Sequence, residues 1–291
     1  EALDREIDAV AEQVRLAGLR VVSLYMGGGT PTTLTAEQLD SLLKKLETAF
    51  DLSGLRECTV EAGRPDTITE EKLRVLRSHG TDRVSVNPQT MSDAVLEAIG
   101  RRHSAADIRK ALQQVRETGG FSVNMDLIAG LPTDTVDGFR RTVNAVLELE
   151  PENITVHTLS IKRGARLHFG EESLPTDGEV KAMLDYAGEN LRASGYAPYY
   201  LYRQKNMSGG FENTGWTKPG YENLYNICIM EELCSILALG AGGSTKLVRR
   251  DGGKNERFVA PKYPAEYIAD IDRICRDKEK ISRFYGTSDI I

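Results

Sequence analysis

Short apolar runs alternate with helical repeats of apolar residues from residue 1 to about residue 194. The runs are brief, β-rich and bounded by glycine or polar residues, which is typical of buried strands, whereas apolar residues three and four positions apart predict helices. The predicted strands are residues 21–26, 58–62, 83–86, 122–128 and 154–159. Helices are predicted before the first strand and after each of the five, including residues 105–117 and 176–193. This alternation predicts an α/β fold of parallel strands with right-handed crossovers, arranged as an open sheet or a barrel.

Three consecutive glycines, Gly27–Gly29, follow the first predicted strand, and a Thr-Pro-Thr turn follows them. Thr35 and Gln38 form a capping box that predicts the start of the next helix. Because glycine has no Cβ, a ligand could contact bare backbone here, at the carboxyl end of a strand where α/β proteins hold their ligands. The segment has neither the Gly-Lys-Ser/Thr of a P-loop nor the G-x-G-x-x-G spacing, which favours a ligand other than a nucleotide phosphate. The alternative is that the glycines only form a tight turn.

Polar or glycine residues occur at or just after the end of each of the five predicted strands. They are residues 27–30, Glu61, Gln89, Asp126 and residues 160–162. Each of them alone is typical of a surface loop. In a barrel the carboxyl ends of the strands meet at one mouth, so five such positions in register predict a site.

The pattern changes after residue 194. Six of the eleven tyrosines lie between residues 196 and 225, and residues 206–220 are predicted to form a long glycine-rich connection. A helix is predicted over residues 221–239, a turn over 240–243, a strand over 246–250, and a helical tail from residue 265. Earlier in the chain, Thr67 and Glu70 predict a second capping box. We therefore expect a barrel region at residues 1–194 and a smaller α+β region at residues 195–291.

Composition narrows the class of protein. The chain has 291 residues, of which 40% are hydrophobic and 27% charged, as in soluble globular proteins. A net charge of −6 argues against nucleic-acid binding, and no apolar run reaches the roughly 18 residues that span a membrane. Four scattered cysteines without C-x-x-C spacing predict neither a zinc site nor disulfides and suit a cytoplasmic protein. Because a strand should precede the first helix, we expect the numbering to begin inside a longer protein.

Five sequence blocks, in this order, resemble a known family. They are GGGTPT, VEAGRPD, RVSVNPQT, GRRHS and MDLIAGLP, which together span residues 27–132. The set resembles the radical S-adenosylmethionine core of oxygen-independent coproporphyrinogen III oxidases. The later segments HTLSIKRGARL and YLYRQKNMSGG resemble the variant of that family found beside the main bacterial enzyme. The resemblance therefore extends over most of the chain.

The resemblance implies a partial (β/α) barrel that binds S-adenosylmethionine at its mouth beside a [4Fe–4S] cluster. It places seven residues at the cofactor: Gly28, Gly29, Thr30, Glu61, Gln89, Arg101 and Asp126. The glycines and Thr30 would lie along the methionine end, and Glu61 would accept a hydrogen bond from the ammonium group, a charge-assisted pairing. Arg101 would pair with the cofactor's carboxylate and Asp126 with its ribose hydroxyls, while Gln89 would add a polar contact. The alternative is that these charges only form salt bridges with one another.

In this family a 5′-deoxyadenosyl radical removes hydrogen from the substrate, and the resemblance implies coproporphyrinogen III as that substrate. Two of its propionates lose hydrogen and carbon dioxide to become vinyl groups, in haem biosynthesis. A tetra-anionic substrate requires cations, and the candidates are Lys162, Arg163, Arg166, Arg203 and Lys205. These side chains could equally form a solvated charged surface. No catalytic residue is assigned.

The chain departs from the family at the iron–sulfur cluster. The family's C-x-x-x-C-x-x-C loop precedes the helix where this sequence begins, and none of the four cysteines has that spacing. We expect no metal ligands in this chain, which as given should not assemble the cluster and should be inactive. Either a longer parent chain carries the loop or the protein is a degenerate relative. The active protein would also need an electron donor.

Two other functions stay open. The first is a haem chaperone on the same scaffold, because such proteins resemble this family throughout the barrel. The second is a non-radical barrel enzyme acting on a phosphorylated metabolite, for which Gly164 and Gly170 are candidate phosphate-binding residues. Neither a nucleic acid nor a membrane is expected as a partner.

Overall fold

The computed structural model describes residues 1–160, 174–203, 210–249 and 252–286. They divide into two compact units. The sheet unit consists of residues 25–39 and 57–223, and the terminal unit of residues 1–24, 40–56 and 224–291. The predicted division at residue 194 stays a prediction. Within the described ranges, no helix has the length and apolar content needed to cross a membrane.

A curled, mostly parallel sheet of seven strands forms a half-barrel, which confirms the predicted α/β class. The strands are β1 (Ser23–Met26), β2 (Glu57–Glu61), β3 (Arg83–Ser85), β4 (Ser122–Ala129), β5 (Asn153–Thr158), β6 (Ala197–Tyr202) and β7 (Asn213–Thr217). Their order is β1-β2-β3-β4-β5-β7-β6. Strands β2 to β5 pair in parallel, and β7 lies antiparallel to both β5 and β6. The five predicted strands are therefore present as β1 to β5.

Helices connect the parallel strands as predicted. They are α1 (Ala2–Leu16), α2 (Ala36–Ala49), α3 (Glu70–Ser78), α4 (Asp93–Ala98), α5 (Ala105–Thr118), α6 (Val136–Leu147) and α7 (Asp177–Ala193). The capping box before α2 is confirmed, because the Thr35 amide donates to Gln38 Oε1 at 2.9 Å and the Gln38 amide to Thr35 Oγ1 at 3.2 Å. Both bonds satisfy donors that the first helical turn leaves free.

The capping box predicted for Thr67 and Glu70 is wrong. Pro65 starts a short 3₁₀ turn, in which the Thr67 hydroxyl donates to the Arg64 carbonyl at 2.8 Å. Helix α3 is capped instead by Thr69, whose Oγ1 accepts from the Lys72 amide at 3.3 Å.

Strand β4 shows how the sheet separates apolar from polar side chains. Buried and partly exposed residues alternate along it, because successive side chains of a strand lie on opposite faces. Met125 and Leu127 are buried, whereas Asn124 and Asp126 lie on the other face and are partly exposed. We call the face that carries Asn124 and Asp126 the polar face. Glu61 lies on the same face, because it pairs in register with Ser85, which in turn pairs with Asn124.

Hydrogen-bonded protein groups fill the amino-terminal end of the polar face. Buried Arg83 bonds the Asn153 side chain and donates to the Tyr221 carbonyl at 3.0 Å. Asn223 Nδ2 donates to Thr59 Oγ1 at 3.3 Å. The partly exposed residues of the polar face are therefore found toward the carboxyl ends of the strands.

The long connection predicted over residues 206–220 is wrong for its second half, because Asn213–Thr217 is strand β7. Residues 206–209 lie outside the described residues. A Cβ on Gly215 would come within 1.9 Å of Tyr200 Cε1, so this position requires glycine for the tyrosine ring to lie across β7. Glycine here allows close packing within a strand rather than marking a loop.

The terminal unit contains α1 and the elements that follow Asn223. They are α8 (Leu224–Met230), β8 (Ser244–Leu247), β9 (Glu256–Val259), α9 (Pro264–Ala269), α10 (Ile271–Lys278) and α11 (Lys280–Gly286). The helical tail is confirmed, and the strand predicted over residues 246–250 is present as β8, which begins two residues earlier and ends at Leu247. The helix predicted over residues 221–239 is wrong beyond Met230. Glu232 adopts a left-handed φ of 53° and its carboxylate bonds Lys246 and Asn255, after which Ile236 pairs antiparallel with Lys246.

A buried ion pair links α1 to α10. Glu6 and Lys278 are 0% and 3% exposed, and Lys278 Nζ lies 2.9 Å from Glu6 Oε1. Glu6 Oε2 also accepts from the Tyr267 hydroxyl at 2.6 Å and from the Gly240 amide at 2.7 Å. Lys278 donates to the Ala238 carbonyl at 2.6 Å. Neither charge could be left unpaired without a large desolvation cost.

We expect Lys278→Met to lower the free energy of unfolding by about 3–5 kcal/mol, because it leaves Glu6 charged and buried without its cation. Urea denaturation of the purified protein measures this change. The matched control is Lys280→Met, whose ion pair with Asp277 is exposed and contributes less than about 1 kcal/mol. Equal effects of the two substitutions would contradict a special role for the buried pair.

Candidate functional site

The glycine segment after β1 is shaped by a tyrosine and a glutamate. A Cβ on Gly27 would lie 2.7 Å from Tyr25 Cε1 and 2.8 Å from Glu61 Oε1, so no larger residue fits without displacing them. Gly28 has a φ of +100°, which favours glycine. Gly27–Gly29 are exposed, and Gly29 has open space where a Cβ would be. The segment therefore presents bare backbone beside a carboxylate.

Glu61, at the end of β2, is held on both oxygens. The Tyr25 hydroxyl donates to Oε1 at 2.5 Å, and the Gly28 amide donates to Oε2 at 3.3 Å. Burial raises the pKa of Glu61, and the negative charge of Asp126 raises it further, while the bonds from Tyr25 and Gly28 oppose the shift. Two predicted site residues, Glu61 and Asp126, are therefore close enough to interact electrostatically.

A second set of bonds holds the rest of the GGGTPT segment. Lys72 Nζ, from α3, donates to the Thr32 carbonyl at 2.6 Å and to the Thr67 carbonyl at 3.2 Å. The hydroxyls of Thr32 and Thr67 lie 2.6 Å apart. One lysine thus ties the loop after β1 to the loop after β2, which fixes the segment that contains Thr30.

Asp126 lies on β4 within a polar network. Asn124 Nδ2 donates to its Oδ1 at 2.8 Å, and His157 Nε2 lies 3.8 Å from its Oδ2. Burial alone would raise the pKa of Asp126, but His157, Asn124 and Thr155 stabilise the carboxylate and hold this pKa below its usual range. Of the two carboxyl groups, Asp126 therefore stays ionised, whereas the pKa of Glu61 lies above its usual value.

The network continues onto β5 and β6. The Tyr202 hydroxyl lies 3.2 Å from His157 Nδ1, and the Tyr200 hydroxyl lies 3.2 Å from Thr155 Oγ1. The two tyrosine rings stack with centroids 6.3 Å apart. The sequence interpretation missed His157 and Tyr202. Period-two alternation along β5 gives one signal for His157, because it shares a strand face with Thr155, the residue in register with Asp126.

Gln89 joins the site through its backbone. It has a left-handed φ of 67°, its amide donates to the Asp126 carbonyl at 2.9 Å, and its carbonyl accepts from the Ile128 amide at 2.9 Å. The loop after β3 is thereby extended along β4. A positive φ outside glycine is uncommon and is maintained here by the two bonds.

The charged neighbours of Arg101 are Arg64 and Asp66 rather than Glu61 and Asp126. Burial and then Arg64 lower its pKa, while Asp66 acts in the opposite direction. No hydrogen bond or ion pair among the described residues links Arg101 to Glu61 or Asp126. Two nearby segments carry buried polar atoms without a partner in the described structure, namely Asn87 Oδ1 and His103 Nε2. Such atoms are rare in native proteins and are compatible with a bound ligand.

The predicted substrate cations are mostly outside the described residues. Lys162, Arg163, Arg166 and Lys205 lie there, as do Gly164 and Gly170. Arg203 follows β6, is exposed, and bonds Glu212 at 3.3 Å. Its part in substrate binding stays a prediction.

Within the described ranges, no three His, Cys, Asp or Glu side chains are arranged to hold a metal ion. All four cysteines lie in those ranges, and none of them forms a disulfide. A [4Fe–4S] cluster needs several thiolates in close array. The donor set of the described residues therefore does not fit the cluster.

Comparisons with known proteins agree with this architecture. The chain is 42% identical over 281 residues to the oxygen-independent coproporphyrinogen-III oxidase-like protein HemZ of Bacillus subtilis, covering 96% of this chain and 56% of HemZ. It is 28% identical over 246 residues to the haem chaperone HemW of Haemophilus influenzae, covering 84% of this chain and 60% of HemW. The chain thus spans less than two thirds of the length of these relatives.

The solved structure of coproporphyrinogen III oxidase HemN from Escherichia coli, described as a radical SAM enzyme, matches with a TM-score of 0.72. The identity is 24%, and the match covers 94% of this chain and 61% of HemN, so it supports the fold alone. Residues 2–146 match the model of the Radical SAM superfamily. By its sequence and its half-barrel, the chain belongs to the Radical SAM superfamily.

Proposed function

We propose that this chain binds S-adenosylmethionine on the polar face and serves the radical oxidative decarboxylation of coproporphyrinogen III. The observation that carries the proposal is the meeting of Glu61 and Asp126 beside the bare backbone of Gly27–Gly29. These side chains come from separate strands whose carboxyl ends lie at one edge of the sheet. Their excess negative charge favours a cationic ligand, and S-adenosylmethionine carries an ammonium and a sulfonium group.

The residues present fit this cofactor. Glu61 would accept from the ammonium group, and Asp126, which stays ionised, would accept from the ribose hydroxyls. Arg101 would hold the carboxylate, and Gln89 would add a polar contact. Exposed Gly28 and Gly29, with Thr30, would allow close approach of the methionine end. The partnerless Asn87 Oδ1 is a further acceptor in the loop after β3.

When bound, S-adenosylmethionine supplies the one-electron chemistry that removes hydrogen from unactivated carbon. The side chains of this chain would bind and orient it: Glu61 at its ammonium group and Asp126 at its ribose, while Tyr25 and Lys72 hold the segments that contact it. The described residues do not supply the ligands of an iron–sulfur cluster, so no step through a cluster is assigned to them.

The choice of substrate rests on similarity to HemZ, an oxidase-like protein, and to HemN. Tyr202 stacks on buried Tyr200 at the border of the polar face and is partly exposed, so its ring could contact a pyrrole ring. The second candidate is a haem chaperone, favoured by the similarity to HemW.

One anaerobic experiment separates the two candidates. The full-length protein is loaded with iron and sulfide, reduced, and given S-adenosylmethionine with propionate-labelled coproporphyrinogen III. The proposed function predicts carbon dioxide release together with S-adenosylmethionine cleavage. Tight haem binding without any carbon dioxide release would favour the chaperone and contradict the oxidase.

We expect Glu61→Gln to weaken S-adenosylmethionine binding by tenfold or more, because hydrogen bonds to charged groups contribute about 1.5–3 kcal/mol. The same substitution should leave the melting temperature unchanged or raise it. The fold raises the pKa of Glu61, so ionising this carboxyl destabilises the folded state above that pKa, and glutamine removes the penalty. Calorimetric titration and thermal unfolding measure the two effects.

The matched control is Glu71→Gln on the exposed surface of α3, which should change neither quantity. If Glu61→Gln lowered the melting temperature and left the affinity for S-adenosylmethionine unchanged, Glu61 would have a structural role, and the assignment would be contradicted.

Tyr25→Phe removes the hydroxyl that stabilises ionised Glu61, so we expect the pKa of Glu61 to rise further. Binding of S-adenosylmethionine should weaken as this carboxyl becomes protonated, and the midpoint of that loss should move to higher pH in the variant. Titrations across a pH series measure the midpoint, with Tyr186→Phe, whose hydroxyl bonds Asn144, as the control. A midpoint that stays in place or moves to lower pH would refute this role of Tyr25.

A further inference from the structure

Three polar side chains form a line across the polar face, from β4 through β5 to β6. His157 Nε2 lies 3.8 Å from Asp126 Oδ2, and His157 Nδ1 lies 3.2 Å from the Tyr202 hydroxyl. The other oxygen of Asp126 accepts from Asn124 Nδ2 at 2.8 Å. Each oxygen of the carboxylate therefore has a protein nitrogen beside it, and Asn124 Nδ2 is the one within hydrogen-bond distance.

The line depends on how β6 reaches over β7. Strand β7 separates β6 from β5, and Gly215 stands in register between Thr155 and Tyr200. Because Gly215 has no side chain, the Tyr200 ring lies across it and reaches Thr155. Tyr202 stacks on that ring and reaches His157. The polar contact is thus built into the sheet and does not depend on a loop.

The hydrogen-bond directions follow from the chemistry of imidazole. When Tyr202 donates to Nδ1, the proton of neutral His157 is on Nε2, the atom that faces Asp126. A histidine fixed in this way orients the carboxylate, just as partners behind a ligand-binding group fix its tautomer and direction. The side chains of His157 and Asp126 are 25% and 21% exposed, which leaves the carboxylate accessible to a ligand.

We infer that His157 and Tyr202 are positioning residues that hold Asp126 for a vicinal diol, the ribose of the bound nucleoside. This inference rests on the proposed function, which assigns the ribose to Asp126. It adds two residues that act through the carboxylate rather than on the ligand, since His157 lies beside Asp126 and Tyr202 contacts His157. The part of the site that recognises the diol therefore extends over β4, β5 and β6, and it depends on a tyrosine supplied by the antiparallel part of the sheet.

The test compares two ligands, S-adenosylhomocysteine and its 2′,3′-dideoxy analogue, by calorimetric titration of the purified protein. The ratio of the two affinities measures recognition of the diol alone. We expect wild type to prefer the ligand with the hydroxyls by about tenfold or more, because hydrogen bonds to a charged group are stronger than those between neutral groups. Asp126→Asn and His157→Leu should each reduce the ratio severalfold, without weakening the dideoxy analogue.

Two conservative variants keep the test informative if His157→Leu does not fold. Tyr202→Phe removes one hydroxyl and should reduce the ratio by a smaller factor, whereas His157→Gln retains an N–H donor and should restore most of it. Tyr186→Phe is the matched control for a tyrosine hydroxyl away from this face and should leave the ratio at the wild-type value.

The outcomes separate the two claims. If Asp126→Asn loses the preference while Tyr202→Phe retains it in full, and His157→Leu, where folded, does so too, the inference is overturned and the proposed role of Asp126 stands. If the wild type shows no preference, or does not bind S-adenosylhomocysteine, the proposed function itself fails.

Discussion

Two carboxylates at the same edge of one sheet are the constraint on which the site depends. Asp126 is kept ionised by His157, Asn124 and Thr155, and its charge adds to the burial that raises the pKa of Glu61. Like charges placed close together destabilise the fold unless a cation or hydrogen-bond donors compensate them. The protein supplies donors from Tyr25 and Gly28 to Glu61, but no cation among the described residues is bonded to it. A cationic ligand would complete this arrangement.

Small residues make the arrangement possible at two places. Gly27 lets Tyr25 and Glu61 pack against bare backbone, and Gly215 lets Tyr200 cross a strand to reach Thr155. In both cases a Cβ would occupy space that an aromatic ring now fills. Each glycine therefore serves both the packing of the sheet and the site. The tyrosine for which it leaves room carries the hydroxyl that contacts a polar side chain of the site.

The repeating parts of the fold could be predicted from the sequence, and the local exceptions could not. Strands β1 to β5 and the capping box at Thr35 follow from periodicity and residue type. Strand β7 was not predicted because glycine is typical of loops. The reason for glycine at position 215, the packing of Tyr200 on it, is visible only in the structure. Helix α8 ends at Met230 because Ile236 pairs with Lys246, a contact between distant residues that overrides helical spacing. Tyr25 as a partner of Glu61 and His157 as a partner of Asp126 were missed for the same reason, because each comes from another strand.

The central claim is that Glu61 binds the ammonium group and Asp126 the ribose of one S-adenosylmethionine molecule. A crystal structure of the protein with this ligand tests it most directly. The account predicts the ligand's ammonium group within about 3 Å of a Glu61 oxygen and its ribose hydroxyls at the same distance from Asp126. A ligand bound away from the glycine segment, or one that contacts neither carboxylate, would contradict it.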